Sequence, residues 1–574
     1  MSDGTVEGGL DEPGELEPAQ GSLDLADPAD RWTVADWEHQ AAAVLRKSRR
    51  LTDEDPDDLV WDKLTRTTLD GIPVTPLGTR ALLDDLQTSG RPTRQGDWDV
   101  RVRVAGGDPA LANEEAIADL EGGATSLWLT GGGLLGGTDL ATVLEGVDLE
   151  LAPVVLDGVD PEAFLGYAGD RTLHPATNLG VPAAAATAEV ARLALDRGVR
   201  AFVVDATTVH DRGASDAQEL GWSLAQAASY LRVLTGAGVT VDEAAGLVEF
   251  RYAATDEQLA TIAKLRAARR LWGRVLEICE AGPAVQQRQH AVTSRPMMSK
   301  YDPWVNILRT TVAAFAAGVG GADSVTVLPF DIPLGRSDEH ARRIARNTSH
   351  LLIDESHVAH VADPAGGSYA VEKLTDDLCV AAWRIFGDLD EGADAESLLD
   401  AAIAETVARR ESEVARRKRP ITGLTEFPNL AEVLPERSGE PDAVRRYGAS
   451  FEALRDEPAA THVFLATLGT VAQHTARATF ATNLFAAGGI AVDVAGATAD
   501  AAELVAAYAG QPVVCLAGSD QAYTEWGEAA ATALREAGAR YVVIAGKPVG
   551  YADASCAMGV DALAFLTSTR EKLA

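Results

Sequence analysis

The chain has 574 residues, more than a single hydrophobic core organises, so two or more domains are expected. Its formal charge of −36 at pH 7 repels nucleic acid and anionic membranes, which argues against both as partners. It has no run of about 18 apolar residues, and its acidic, polar N-terminus lacks the basic and apolar regions of a secretory signal.

Residues 1–30 are rich in Gly, Asp, Glu and Pro and have little to bury, so an extended or disordered arm is expected there. Residues 31–50 (RWTVADWEHQAAAVLRKSRR) predict an amphipathic helix with Trp37, Ala41, Val44 and Leu45 on its apolar stripe. Its basic end, Arg46 to Arg50, suits a helix C-terminus. From residue 98 the pattern alternates. Strands are expected at 100–104, 125–129, 151–156, 201–205, 247–252, 291–294 and 324–328, with helices between them at 111–120, 182–196 and 216–235, among others. Such alternation implies a parallel sheet. Seven of the eight strands of a (β/α)₈ TIM barrel are then visible; the fourth belongs near 171–180, where no clean pattern stands out. Gly131–Gly133 and Gly136–Gly137 read as a tight loop, without a GxGxxG frame.

The helix over 255–281 is expected to start on a capping box of Thr255 with Gln258 and to close at Gly282 in the left-handed conformation. Within it, Leu265, Ala268, Trp272, Leu276 and Cys279 recur at spacings of three and four. Asp302-Pro303 marks a turn and a helix start. Val312, Phe315, Ala316 and Val319 form that helix's apolar face, Gly318, Gly320 and Gly321 stop it, and strand 324–328 follows. Residues 332–410 read mostly as helix. The dense charge, Pro and Gly of 411–460 read as a linker over the surface. A second pattern follows, with strands at 462–467, 490–494, 513–517, 541–545 and 562–566 and helices near 472–487, 499–509 and 522–537. It is a flavodoxin-like doubly wound domain, whose ligands sit at the carboxyl ends of the strands. The expected boundaries are an N-terminal arm with helices (1–95), the barrel and its following helices (96–410), the linker (411–460) and the doubly wound domain (461–574).

Cys279, Cys379, Cys515 and Cys556 are far apart and form no CxxC pair, so buried thiols in a reducing cytoplasm are expected, without disulfides or a zinc site. No GxxxxGK[ST] loop, HExxH helix or GxSxG elbow occurs.

Four ordered runs carry a family resemblance: YDPWVNILRTTVAAFAAGVGGADSVTVLPFD (301–331), VADPAGGSYAVEKLT (361–375), KLRAARRLWGRV (264–275) and GASDAQELGWSLAQAASYLRVLT (213–235). They resemble the cobalamin-dependent acyl-CoA mutases, above all the methylmalonyl-CoA mutase family, over roughly residues 30–570. The resemblance implies a TIM barrel followed by a cobalamin-binding-type domain. In catalytic members the first strand of that domain leads into a D-x-H-x-x-G motif. There the histidine is the lower ligand to cobalt, the aspartate bonds its other nitrogen and the glycine admits the cofactor's nucleotide tail. With Gly469 set ahead of the motif, and Ala481, Thr482 and Gly488 kept in register, the three motif positions fall on Val471, Gln473 and Ala476. All three are lost, and Ala476 adds a Cβ where the family has none. His474 stands one residue late, turned by about 100° on a helix, and Ala472 occupies the place of its aspartate.

The barrel departs from the family in parallel. The loop that carries a substrate-contacting tyrosine and arginine matches GIPVTPLGTRALLDDL (71–86), which has no tyrosine and retains Arg80. That arginine is expected to cap a helix or pair on the surface. The family's histidine after the fifth strand, counted back from Gly213-Ala214, falls on Thr208. His210 lies two residues nearer the turn, a candidate for catalysis at a strand's carboxyl end but expected to be structural.

A member with these losses is implied to be the small, non-catalytic subunit of a heterodimeric methylmalonyl-CoA mutase. Adenosylcobalamin would be bound by the catalytic large subunit, which would interconvert (R)-methylmalonyl-CoA and succinyl-CoA in propionate metabolism. No catalytic residue, cofactor ligand or metal site is then expected in this chain, its N-terminal arm would pack on the partner, and the pair would be cytoplasmic. Two alternatives stay open: an autonomous acyl-CoA mutase acting through His210 and His474, and an acyl-CoA-binding protein.

Overall fold

The computed structural model describes residues 31–574 apart from 91–93, 95, 106, 132–136, 284 and 392–393; the arm over 1–30 and most of the glycine-rich loop at 131–137 lie outside the described residues. The chain divides into two compact units, Met1–Arg66 with Pro73–Leu77, and Thr67–Ile72 with Gly78–Ala574.

In the first unit, helix α1 (Val34–Lys47) starts on a capping box between Thr33 and Asp36 and carries Arg46 and Lys47 in its last turn. Ala42, Leu45, Leu51 and Val60 are its buried core, with Trp37 and Trp61 packed alongside, ring centroids 4.7 Å apart. The expected stripe needs one correction: Val44 is 67% exposed, and Ala42, one helical turn before Leu45's neighbour Arg46, points inward instead.

The second unit opens with the barrel. Its strands are β1 (Asp99–Ala105), β2 (Ser126–Thr130), β3 (Val154–Asp157), β4 (Asn178–Pro182), β5 (Arg200–Asp205), β6 (Val248–Ala254), β7 (Gln289–Thr293) and β8 (Ser324–Thr326). All pair in parallel, and β8 pairs with β1 to close the ring. The strand the sequence hid is β4. Its register slips between Asn178 and Val181. The Asn178 side chain turns back to accept from the Gly180 amide, and Gly180 takes φ +68°. A Cβ at Gly180 would overlap the Leu156 carbonyl oxygen, so glycine is required at this crossing.

Helix α2 (Asp216–Gly236) starts on a capping box of Ser215 with Gln218. Helix α3 (Gln258–Ile278) departs from expectation at both ends. Its N-cap, Glu257, makes no side-chain capping bond, and Thr255 instead bonds Thr261 at 3.1 Å. The left-handed residue after α3 is Glu280 (φ +57°), not Gly282, whose amide is already engaged by Asp242 at 2.8 Å. Cys279 lies past the last inward turn and is exposed, contrary to the expected burial; Cys379, Cys515 and Cys556 are buried, and all four are free. Helix α4 (Val305–Val319) keeps Gly318 inside its last turn because a Cβ there would sit 2.5 Å from the Trp98 ring.

The C-terminal sheet comprises β9 (Val463–Thr467), β10 (Val492–Val494), β11 (Val513–Ala517), β12 (Tyr541–Ala545) and β13 (Ala554–Cys556). Its parallel order, β10-β9-β11-β12-β13, is the flavodoxin-like one. The fifth strand is 554–556, and the expected strand at 562–566 opens helix Ala562–Leu573, capped by Asp561. A short apolar run fits either element, and the cap decides it. Residues 411–460 are more than a surface linker. Leu424 and Phe451 are fully buried in one core with Val463, Leu465, Leu484 and Val513, and Tyr301 of the barrel packs against that core. Among the described residues no helix is long and apolar enough to cross a membrane.

Candidate functional site

The loop after β5 places His210 on a short helix, Thr207–Asp211. Its ring is 3% exposed and faces protein on both nitrogens: Nε2 lies 2.7 Å from Ser294 Oγ and Nδ1 3.4 Å from Glu219. Glu219 is itself fully buried and accepts from the Ala253 amide at 2.8 Å and from Lys264 Nζ at 2.7 Å. Lys264 also reaches Asp216 at 2.9 Å. Burial alone would lower the Lys264 pKa, but the two carboxylates outweigh it and hold the ammonium above its ordinary range. His210 is therefore one member of a buried ionic network.

The barrel axis is filled. Arg251 of β6, 1% exposed, pairs with Asp157 at 2.9 Å and Asp205 at 2.7 Å, and its guanidinium lies 4.2 Å from the Trp128 ring centroid. Trp128 meets His290 edge-on at 5.4 Å, and His290 Nε2 reaches Thr326 at 2.7 Å. Burial, reinforced by Arg101 and Arg251, holds the His290 pKa well below its usual value, so the imidazole is neutral. One layer lower, Arg101 pairs with Glu249 at 2.7 Å and Asp99 at 3.0 Å. These groups come from seven of the eight strands and leave a packed, charged core along the axis. Arg80 lies apart on the surface. It is the first residue of a short 3₁₀ turn whose N-cap is Thr79, and among the described residues it has no ion pair, so the expected capping or pairing role is not seen.

In the C-terminal domain, helix α5 (Val471–Ala487) follows β9. Val471 is 63% exposed and Ala476 is exposed as well. The Gln473 amide oxygen is spent on a capping box, accepting from the Thr470 amide at 2.8 Å and its hydroxyl at 3.0 Å. His474 is buried at the helix start, with Nδ1 3.3 Å from the Gly469 carbonyl. The helix lies directly on the sheet through Ala481, Leu484 and Phe485. At the carboxyl edge, where such sheets hold ligands, the Tyr523 hydroxyl accepts from the Gly518 amide at 3.1 Å and lies 2.8 Å from the Ala545 carbonyl. Arg477 covers that ring at 4.8 Å and donates to the Gly518 carbonyl at 2.6 Å. Sequence reasoning missed Tyr523 and Arg477; the spacing of one helical turn from Gln473 to Arg477 was the only available signal. A cobalt ligand backed by an aspartate does not fit this set of residues.

A family model described as methylmalonyl-CoA mutase matches residues 193–509, from the helix before β5 into the C-terminal domain. The chain belongs to the methylmalonyl-CoA mutase family. Among its relatives, a protein of Streptomyces virginiae named methylmalonyl-CoA mutase small subunit is 44% identical, over 96% of this chain and 98% of its own length. A protein of the same name from Propionibacterium freudenreichii subsp. shermanii is 33% identical, over 96% of each. A mitochondrial methylmalonyl-CoA mutase from Bos taurus is 34% identical but matches only 38% of this chain and 30% of its own length. Of these three relatives, the two named small subunit match over nearly the full length of this chain and the mitochondrial mutase over a part of it.

Proposed function

We propose that this chain is the small, non-catalytic subunit of a heterodimeric methylmalonyl-CoA mutase. It would support the interconversion of (R)-methylmalonyl-CoA and succinyl-CoA on a catalytic large subunit, which binds adenosylcobalamin. The observation that carries this reading is the state of the α5 start. Val471 and Ala476 offer no donor, Gln473 is used as a cap and His474 faces the backbone. The filled barrel axis supports it, because Trp128, Arg251 and His290 occupy the line a substrate would need. The cofactor, where bound, supplies the radical chemistry; this chain would contribute contact surface. Trp32, Val34 and Val44 of the first unit are 78%, 46% and 67% exposed and are candidates for that contact. Three buried free thiols suit a cytoplasmic pair.

The test is a titration of the purified chain with adenosylcobalamin, followed by visible absorption, and turnover measured with and without a large subunit. The expected result is no spectral change and no turnover alone, with turnover in the pair. Tight binding with a histidine-ligated spectrum would sink the proposal and promote His474 to a ligand in an autonomous mutase. Retention of acyl-CoA by the isolated chain, with no effect on a large subunit, would favour a binding protein instead.

A further inference from the structure

Residues 436–447 form a strap across the carboxyl end of the barrel, the end where barrels keep their chemistry. One end is pinned by Arg437, which pairs with Asp331 and, at 2.8 Å, with Asp338, while the Arg336 amide donates to the Ser438 carbonyl at 2.7 Å. The other end is pinned by Tyr447, whose amide donates to the Pro296 carbonyl at 2.8 Å and whose ring stacks 4.6 Å from the Arg410 guanidinium. Between the pins, Asp442 reaches the barrel rim. Its Oδ2 lies 2.6 Å from Arg103 Nη1 and 3.4 Å from Arg295 Nη1, and its Oδ1 lies 3.3 Å from Arg103 Nη2.

This is the fork by which guanidinium groups recognise a carboxylate. The two arginines belong to the barrel, Arg103 on β1 and Arg295 just after β7, whereas the carboxylate comes from outside it. Among the described residues Asp442 is the only ion-pair partner of Arg103, whose Nε is buried without a partner. Beneath it lies the Trp128 ring, 5.8 Å from Arg103 and 4.2 Å from Arg251, and Arg251 Nη2 is also buried without a partner. Two guanidinium nitrogens at the mouth thus lack partners even with Asp442 in place, while Arg295 keeps Asp211 at 2.5 Å as a second carboxylate. Without it, Arg103 would be a mostly buried, uncompensated cation, a state that favours uptake of an anion.

We propose that Asp442 is a resident stand-in ligand: Arg103 and Arg295 form a carboxylate-binding site that the chain fills with its own side chain. When that side chain is removed, the barrel mouth takes a small free monocarboxylate. The inference does not depend on the proposed function, since it concerns only this chain's own rim and strap.

The experiment uses the full chain with Asp442→Ala and acetate, the chemistry of the missing group. Acetate would be titrated against chloride at constant ionic strength, with calorimetry and thermal unfolding as readouts. Acetate is expected to bind the variant at least tenfold more tightly than the unchanged protein and to recover part of the lost thermal stability. Asp442→Ala combined with Arg103→Met should lose the acetate effect. Equal acetate binding in the unchanged protein and the single variant, or undiminished binding in the double variant, overturns the proposal. If the single variant does not fold in chloride, refolding into acetate decides the matter: recovery supports the site and failure refutes it.

Discussion

Lys264 is a fully buried cation that serves two carboxylates, Glu219 at 2.7 Å and Asp216 at 2.9 Å. Lys264→Met keeps most of the aliphatic length and removes the charge. Glu219 would then retain only the Ala253 amide at 2.8 Å and His210 at 3.4 Å. Removing one partner of a buried ion pair costs about 3–5 kcal/mol. The Asp216 side chain is 25% exposed and can turn to water, so the uncompensated charge is chiefly that of Glu219. The lower end applies, about 3 kcal/mol, or roughly a hundredfold in the folding equilibrium. Urea unfolding followed by far-UV circular dichroism and tryptophan fluorescence would read the loss as a shifted midpoint at unchanged slope. Lys264→Met with Glu219→Gln should recover at least half of it, because no buried charge is then orphaned. The folded Lys264 pKa is raised, so its contribution is fully present below the ordinary lysine range and disappears only as pH rises beyond it. A loss under about 1 kcal/mol, or a double variant no better than the single, would refute the claim that Lys264 neutralises Glu219.

Asp70 accepts from the Ser215 hydroxyl and from the Ala217 amide at 3.2 Å, yet burial and the neighbouring Asp216 push its pKa up to about 6. The native state then holds a proton that the unfolded chain releases near 4, so stability falls as pH rises from 4 to 6 and stays lower above that. Asp70→Asn should gain about 1–2 kcal/mol at pH 8 and almost nothing at pH 4, read from urea midpoints at the two pH values. Gly180→Ala combines φ +68° with a Cβ driven into the Leu156 carbonyl and should cost about 3 kcal/mol or more, seen as a large fall in Tm or as insoluble protein. Gly198→Ala has a similar φ of +66° but nothing within 4 Å of its Cβ; as the control it should cost only about 1 kcal/mol. His474→Ala should leave turnover of the reconstituted pair within twofold, and a tenfold loss would contradict its assignment as a structural residue.

The barrel was legible because seven of its strands are short runs rich in β-branched and aromatic residues, set between helical stretches, even where a charged side chain interrupts them. The fourth was not, because NLGVP spends an asparagine side chain and a glycine on a register slip, and neither residue reads as strand. The end of α3 was misplaced for a related reason: Glu280 adopts the conformation usually left to glycine two residues ahead of a glycine already tied to Asp242. The candidate site was legible as a set of losses. Val471, Gln473 and Ala476 could be read as departures from the family's motif, but the task taken up by Gln473 could not, since a capping box depends on where the helix begins. The Arg103–Asp442 contact spans 339 residues of sequence, and no local pattern announces a pair so distant.

The seam between barrel and C-terminal sheet has a thermodynamic consequence. Tyr301 lies under the Arg455 guanidinium at 3.9 Å, and Lys300 and Tyr301 both reach Asp456, at 2.6 and 2.7 Å. With Leu424 and Phe451 in the same core, the two regions have no soft line along which to swing apart. The expected outcome is a single calorimetric transition for barrel and sheet, and two separated transitions would contradict it. As the proposed subunit the chain would meet its partner already in its final shape, with little of the energy of docking spent on freezing internal motion.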